Sequence, residues 1–274
     1  MYEIISKQDL VPKIHLLKIA ESTLSKKSQP GQFVLLRIDE EGERIPMNIA
    51  DWDEKEGSIS VVFLEKGATT RKLALLKEGD YITNVVGPLG MPTQIDTFGH
   101  VVCIAGGIAA GFIIPALKAL KNKGNKITSI VWQKTEKMVF WEDSLADASD
   151  QLIVVTEDGS YGRKGSAPLS LKEMLEGGVH IDRVVAMGPG PMLKACSEVT
   201  RPFGVKTIVS LHSIMIDGIG MCGSCRVSVG GVTRFACVDG PDFDGHQVDW
   251  GLFTARNGIY AHEEKIAVEK QLSL

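Results

Sequence analysis

Asp217-x4-Cys222-x2-Cys225-x11-Cys237 is the part of this 274-residue chain whose residue types and spacing most directly imply chemistry. It matches the plant-type C-x4-C-x2-C…C spacing of a [2Fe-2S] cluster, with aspartate in place of the first cysteine. Iron needs anionic donors converging from a tight loop, and Gly218, Gly220 and Gly223 let the backbone wrap closely and turn N–H groups toward sulfur. A carboxylate oxygen is a reasonable iron ligand, so Asp217, Cys222, Cys225 and Cys237 are the expected metal ligands. The same three cysteines are also compatible with zinc, although zinc ribbons usually carry two C-x2-C pairs and this chain has one. Asp217 is also a residue type found in turns before a glycine such as Gly218, which is the lesser alternative to a ligand. Cys103 and Cys196 lie in apolar surroundings and are expected to be small buried residues without chemistry.

Ala105-Gly106-Gly107-Ile108-Ala109-Ala110-Gly111 stands where an apolar run gives way to a helical pattern. Backbone N–H groups and a helix N-terminus there would hold a pyrophosphate. The segment is not a full G-x-G-x-x-G, and a glycine turn made only for close helix–strand packing explains it too. Two further loops follow expected strands: Thr156-Glu157-Asp158-Gly159-Ser160 and Gly188-Pro189-Gly190-Pro191-Met192. Carboxyl ends of parallel strands are where such sheets bind ligands. Gln133-Lys134-Thr135 provides neither the acid that favours NAD nor an arginine for a 2′-phosphate, leaving NADH and NADPH open.

Nearer the start, Arg44-Ile45-Pro46-Met47-Asn48 sets a cation and a rigid proline beside a strand. A buried arginine there would stabilise flavin phosphate or the anionic charge of reduced flavin. Gly67-Ala68-Thr69-Thr70-Arg71 offers amides and hydroxyls at an expected helix start. Each of these two segments, taken alone, is more often a turn or a cap.

Such groups need elements to hold them. The first hundred residues carry short β-type runs at Phe33 to Arg37, Ile59 to Phe63 and Tyr81 to Val86, divided by turns such as Pro30-Gly31 and Glu78-Gly79-Asp80. This predicts a small antiparallel barrel over 1–98. From His100 apolar strands (Val101 to Ala105, Ile127 to Trp132, Leu152 to Thr156, Arg183 to Met187, Lys206 to Leu211) alternate with helical sequence, which predicts a doubly wound parallel α/β sheet over 99–211. Residues 212–274 are expected to form a small iron–sulfur loop region and an ordered tail, in which the loop has too little apolar sequence for its own core.

A net charge of −4 provides no dense basic field, which argues against a nucleic-acid binder. Nothing resembles a leader or approaches the ~20 apolar residues needed to span a bilayer, so a cytoplasmic protein without membrane insertion is expected.

Barrel, nucleotide domain and cluster loop, in that order, resemble the ferredoxin–NADP reductase superfamily over essentially the whole chain. The resemblance is greatest to the branch that contains dihydroorotate dehydrogenase electron-transfer subunits and small subunits of NADH-dependent reduced ferredoxin:NADP oxidoreductases. It implies FAD in the barrel, NAD(H) or NADP(H) in the second domain and a [2Fe-2S] cluster in the last. By the same resemblance Ile45, Pro46, Met47 and Asn48 line the isoalloxazine, Val61, Val62, Phe63, Ala68, Thr69 and Thr70 the rest of FAD, and Gly106, Gly107, Ile108 and Ala109 the nicotinamide nucleotide. Asn48 stands where relatives usually have Ser or Thr, and Ala109 where they tend to have Gly. Aspartate at the first cluster position, together with Cys237 to His246 and Val248-Asp249-Trp250, is similar to the ferredoxin:NADP type, whereas the dihydroorotate type has cysteine.

The implied function is a flavin and iron–sulfur subunit of an oxidoreductase complex, possessing no catalytic side chain and moving electrons between NAD(P)H, FAD and the cluster. An electron-bifurcating or related ferredoxin:NAD(P) complex is expected. The alternatives are an NAD-dependent dihydroorotate dehydrogenase and an electron wire with no nucleotide site. A larger flavin/iron–sulfur subunit, and ferredoxin, are the expected partners; Trp250 to Tyr260 either dock that subunit or pack on their own domain.

Overall fold

The computed structural model describes residues 1–272. Its first strands are β1 (Tyr2–Val11), β2 (Ile14–Ala20), β3 (Phe33–Arg37), β4 (Arg44–Asp53), β5 (Ser58–Leu64), β6 (Tyr81–Ile82) and β7 (Asn84–Leu89). They pair antiparallel in the order β6-β1-β2-β5-β4-β3-β7. The two end strands, β6 and β7, are separated in the chain only by Thr83, so one stretch closes the sheet into the expected barrel. Thr83 secures the corner by donating its amide and its hydroxyl to the Ile38 carbonyl, each at 3.1 Å. Ile4, Leu17, Ile19, Leu36, Ile59, Val61 and Phe63 fill the interior. Two short helices, α1 (Ser22–Lys27) and α2 (Ala68–Leu75), lie outside the strands.

The second sheet contains β8 (His100–Gly106), β9 (Lys126–Gln133), β10 (Gln151–Thr156), β11 (Arg163–Lys164), β12 (Arg183–Met187) and β13 (Lys206–Ser210). Helices α3 (Ala109–Phe112), α4 (Ile114–Asn122), α5 (Glu142–Asp147), α6 (Ala167–Glu176) and α7 (Gly190–Thr200) connect them. β12 is buried along its whole length and β8 nearly so, as expected for parallel strands covered on both faces. The order β11-β10-β9-β8-β12-β13 is doubly wound, with its reversal between β8 and β12.

The last segment forms a hairpin, β14 (Arg226–Val229) with β15 (Val232–Phe235), then β16 (Asp242–Asp244), α8 (Trp250–Asn257) and α9 (Ala261–Leu272). As expected, it builds no separate core: Cys225, Val227, Ala236, Phe243, Val248 and Phe253 share one cluster with Ile104, Val184 and Leu193 of the sheet and with Phe33 and Leu35 of the barrel. β16 pairs antiparallel with β13, extending the sheet by an edge strand that local patterning did not suggest. Among the described residues no helix is long and apolar enough to cross a membrane.

The barrel and the sheet are in direct contact. A Cβ on Gly111 of α3 would lie 3.0 Å from Val62 of β5, so glycine is what lets α3 approach the barrel. The connecting stretch is bonded on both sides: the Thr93 amide donates to Pro30 at 2.8 Å, the Met91 amide to Gly240 at 2.6 Å, and the Thr93 hydroxyl to Asp242 at 2.7 Å.

Candidate functional site

The carboxyl ends of β8 and β12, on either side of the strand-order reversal, carry Gly106-Gly107 and Gly188-Pro189-Gly190. That is the crevice in which an open α/β sheet takes its ligands. Gly107 has φ +61° with open space where a Cβ would stand. Its neighbour is glycine for another reason: a Cβ on Gly106 would lie 2.6 Å from Met192 Sδ, and one on Gly188 3.1 Å from Gly106 Cα. Packing therefore explains Gly106 and Gly188, while Gly107 offers open backbone. Ile108 is half-buried, and Ala109 is fully buried in the core.

On the next strands, Thr156 is buried and used within its own loop, its hydroxyl donating to Tyr161 O at 2.6 Å and accepting from Tyr161 N at 3.1 Å. Asp158 is exposed and holds the turn through the Ser160 amide and hydroxyl, at 2.9 and 2.6 Å, beside Gly159 at φ +76°. Those Ser160 bonds keep its carboxyl below the usual range. Sequence reasoning missed Trp132, at the end of β9, whose carbonyl accepts from Gly107 N at 3.0 Å and whose buried indole N–H has no partner.

In the barrel, β4 pairs with β3 over Arg44 to Asn48, but with β5 only from Ile49 onward. The two strands part where Asn48 and Val62 lie, and Pro46, which has no N–H for a ladder, fits the resulting edge. The start of α2 closes the same gap: Thr70 Oγ1 accepts from the Lys66 and Gly67 amides at 3.0 and 3.1 Å, and Thr69 donates to Glu43, just before β4, at 3.0 Å. The bond from Thr69 to Glu43 ties the start of α2 to the strand that carries Ile45 to Asn48, and backbone amides at a helix start suit the phosphate of a nucleotide. Val61, Val62 and Phe63 are buried, as is Met47, so their side chains belong to the packing and the strands offer backbone. Arg44 corrects an expectation: it is exposed, at the solvent end of β4, and supplies no buried cation.

The residue that joins these sites, His212, carries no motif and was not anticipated. Asn48 Nδ2 lies 3.4 Å from its Nδ1, and its ring stacks on Phe112 of α3 with centroids 5.3 Å apart. Burial pushes its pKa down to about 4 although solvent reaches the side chain, as expected of a ring lining a crevice between domains.

The four expected cluster ligands come together two by two. Cys225 and Cys237 are buried with their sulfurs 3.2 Å apart. The Asp217 carboxylate accepts from the Cys222 amide at 2.5 Å and the Ile219 amide at 3.0 Å, while Cys222 Sγ lies 3.1 Å from Ser224 Oγ. Among the described residues no three His, Cys, Asp or Glu side chains converge as around a single ion. The halves differ electrostatically. Burial, reinforced by the neighbouring Cys225, pushes Cys237 up to about 12, so a bound cation is what would make Cys237 a thiolate. At the other half, burial raises Asp217, but the Ile219 and Cys222 amides outweigh it and leave the carboxyl below its usual range; Ser224 does the same for the Cys222 thiol. A Cβ on Gly218 would lie 2.7 Å from Leu89 and 2.8 Å from Leu35, so the loop is seated directly on the barrel. Cys103 and Cys196 are buried as expected, with burial pushing both thiols up to about 12.

Residues 212–249 match the family model for the iron–sulfur cluster binding domain of dihydroorotate dehydrogenase B. Over 98% of its length the chain is 42% identical to the dihydroorotate dehydrogenase B (NAD(+)) electron transfer subunit homolog of Thermotoga maritima, of which it covers 95%. It superposes with a TM-score of 0.94 and 39% identity on a chain of an NADH-dependent reduced ferredoxin–NADP oxidoreductase solved to study flavin-based electron bifurcation, covering 99% of this chain and 98% of that one. A ferredoxin NADP+ reductase from Neisseria gonorrhoeae with bound FAD and NADP shares the fold at TM-score 0.62 and 19% identity, over 74% of this chain and 90% of that one.

Proposed function

The chain belongs to the dihydroorotate dehydrogenase B electron-transfer subunit family, and from that premise we propose that it relays electrons between a nicotinamide nucleotide at Gly107, FAD in the barrel cleft at Asn48 and a [2Fe-2S] cluster on Asp217, Cys222, Cys225 and Cys237. One observation carries this reading. His212 contacts Asn48 of the barrel and Phe112 of the helix that follows the Gly107 turn, and it stands five residues before Asp217 in the chain, which supports one relay through the three candidate sites.

Bound flavin supplies the exchange between two-electron hydride chemistry and single electrons, and a bound cluster carries the single electrons. The chain's own groups position and enclose. Phe112 and His212 wall the crevice between nucleotide and flavin sites, the Asn48 amide presents its donors there, and Leu35 and Leu89 seat the cluster loop against the barrel. No proton-transfer residue is required.

The physiological unit is a complex. Exposed Ile216, Ile219, Met221 and Val238 stand on the cluster loop around exposed Cys222, an apolar surface suited to a partner subunit. Trp250 and Phe253 instead pack inward on the core shared with the parallel sheet, which leaves Leu252, Ile259 and Tyr260 exposed on the tail. Aspartate at the first ligand position and the 0.94 superposition favour a bifurcating or related ferredoxin:NAD(P) complex. The Thermotoga maritima relative keeps dihydroorotate oxidation as the second reading.

The test is anaerobic titration of the purified chain with NADH and with NADPH, following flavin absorbance and the cluster's paramagnetic signal, then turnover with the co-purifying partner. Bleaching followed by cluster reduction, with physiological turnover only after the partner is added, is expected. Intact flavin that neither nucleotide bleaches would make the chain an electron wire, and full ferredoxin-coupled turnover by the chain alone would remove the need for a partner.

A further inference from the structure

Arg256 is held beside the cluster loop by a helix fixed at both ends. Asp249 caps α8 by accepting from the Leu252 amide at 2.9 Å, and its own amide donates to Ser228 of β14 at 2.9 Å. At the far end Asn257 Nδ2 donates to the His212 carbonyl at 3.4 Å. Phe253 is buried against Gly190, where a Cβ would lie 3.0 Å from its ring. Arg256 follows three residues later on the same helical face and is therefore carried inward.

Its Nη2 donates to the Ser224 carbonyl at 3.1 Å, inside the Cys222-x2-Cys225 loop, yet its Nε is buried with no hydrogen-bond partner. A buried charged N–H without an acceptor is costly, and side-chain bonds at both helix ends hold this one in place. The arrangement makes sense if an acceptor that the polypeptide does not provide belongs beside the loop. The guanidinium fork suits the task, since one nitrogen can hold the loop carbonyl while another faces a different acceptor.

We propose that Arg256 Nε donates a hydrogen bond to the [2Fe-2S] cluster or to one of its thiolate ligands and thereby raises the cluster's reduction potential; this rests on the cluster assignment made above. A cluster held by four anionic ligands is negatively charged, and reduction adds to that charge, so a nearby, partly buried cation favours the reduced state. Arg226 also reaches the loop at Gly223, but it is exposed and its field is screened by solvent.

Arg256→Gln and Arg256→Lys, in the full chain with flavin and cluster loaded, are compared with the parent in a redox titration monitored by electron paramagnetic resonance. Both variants are expected to retain parental iron, sulfide and flavin. Arg256→Gln should disfavour cluster reduction at least tenfold, a shift of about 59 mV to more negative potential for a one-electron couple. Arg256→Lys keeps the charge but not the fork and should fall between, while the flavin couple stays in place. An unmoved or more positive cluster potential in Arg256→Gln overturns the proposal. If that variant loses its cluster, an unmoved potential in Arg256→Lys overturns it equally. A parent chain without acid-labile sulfide would instead remove the cluster assignment itself.

Discussion

Asn48 and His212, 164 residues apart, meet across the boundary between barrel and sheet with the amide nitrogen 3.4 Å from the ring Nδ1. With the amide nitrogen facing it, Nδ1 accepts from Asn48 in the neutral form of the ring. Burial provides it by lowering the pKa from 6.5 to about 4. The unfolded chain takes up a proton near 6.5 and the folded one only near 4, so stability from this group is complete above 6.5 and is lost as pH falls toward 4. His212→Gln keeps a polar group without the titration. Urea unfolding at pH 7 and pH 5 should therefore show a smaller acid destabilisation in the variant than in the parent, and equal losses would mean that the ring titrates normally.

The two halves of the cluster loop should respond differently to substitution. Cys225 and Cys237 are buried 3.2 Å apart, and Cys237→Ser should abolish cluster binding, read as loss of iron and sulfide. Asp217 also closes the turn through the Ile219 and Cys222 amides, so Asp217→Ala removes a ligand and a turn together. Asp217→Cys is the informative variant: cluster retained with a changed potential is expected. A spectrum and potential identical to the parent's in both Asp217 variants would reduce Asp217 to a turn residue.

The paired glycines of the nucleotide loop separate packing from binding. Gly188→Ala places a Cβ 2.8 Å from Met192 and 3.1 Å from Gly106 and should cost about 2 kcal/mol or more in unfolding free energy. Gly107→Ala meets no atom within 4 Å and carries only the left-handed backbone penalty, about 1–2 kcal/mol. A bulkier Gly107→Val should weaken nucleotide binding tenfold or more with flavin content unchanged. Trp132→Phe, which removes the orphaned indole N–H nearby, should lower the same affinity by a smaller factor. Flavin loss from Gly107→Val would place the flavin in the sheet domain.

Features set by local sequence were legible in advance. Cysteine spacing marked the cluster loop, β-type runs between turns marked the barrel, and uninterrupted apolar strands such as Val101 to Ala105 marked the parallel sheet. What escaped depends on pairing between distant segments. Asp242 to Asp244 read as loop because a three-residue strand has no periodicity of its own and exists only through its ladder with β13. His212 and Arg256 matter through partners 164 and 32 residues away, which no motif encodes. Arg44 was read as a buried cation beside a strand, but it is exposed at the first position of β4, a placement that its own short segment does not encode.

Asp242 supplies a pH test of how the cluster segment is joined to the other two. Its carboxyl accepts from Thr93 of the connecting stretch at 2.7 Å and from the Ser210 hydroxyl, while Oδ1 is buried with no partner. It shares a cavity of about 130 Å³ with Arg183, which is itself engaged by Gln94 at 3.1 Å and lies 3.5 Å from the centre of the Phe98 ring. Burial raises the Asp242 pKa above its ordinary 3.8, so the folded state keeps the proton to higher pH than the unfolded chain does. The stabilising contribution is complete below about 3.8 and is lost as pH rises through the raised value. Asp242→Asn is permanently uncharged and can still accept from Thr93. It should be more stable than the parent at pH 8 in chemical denaturation, with the advantage vanishing toward pH 4. A variant less stable than the parent at pH 8 would show instead that Asp242 is ionised in the native protein and held by Arg183 across the cavity.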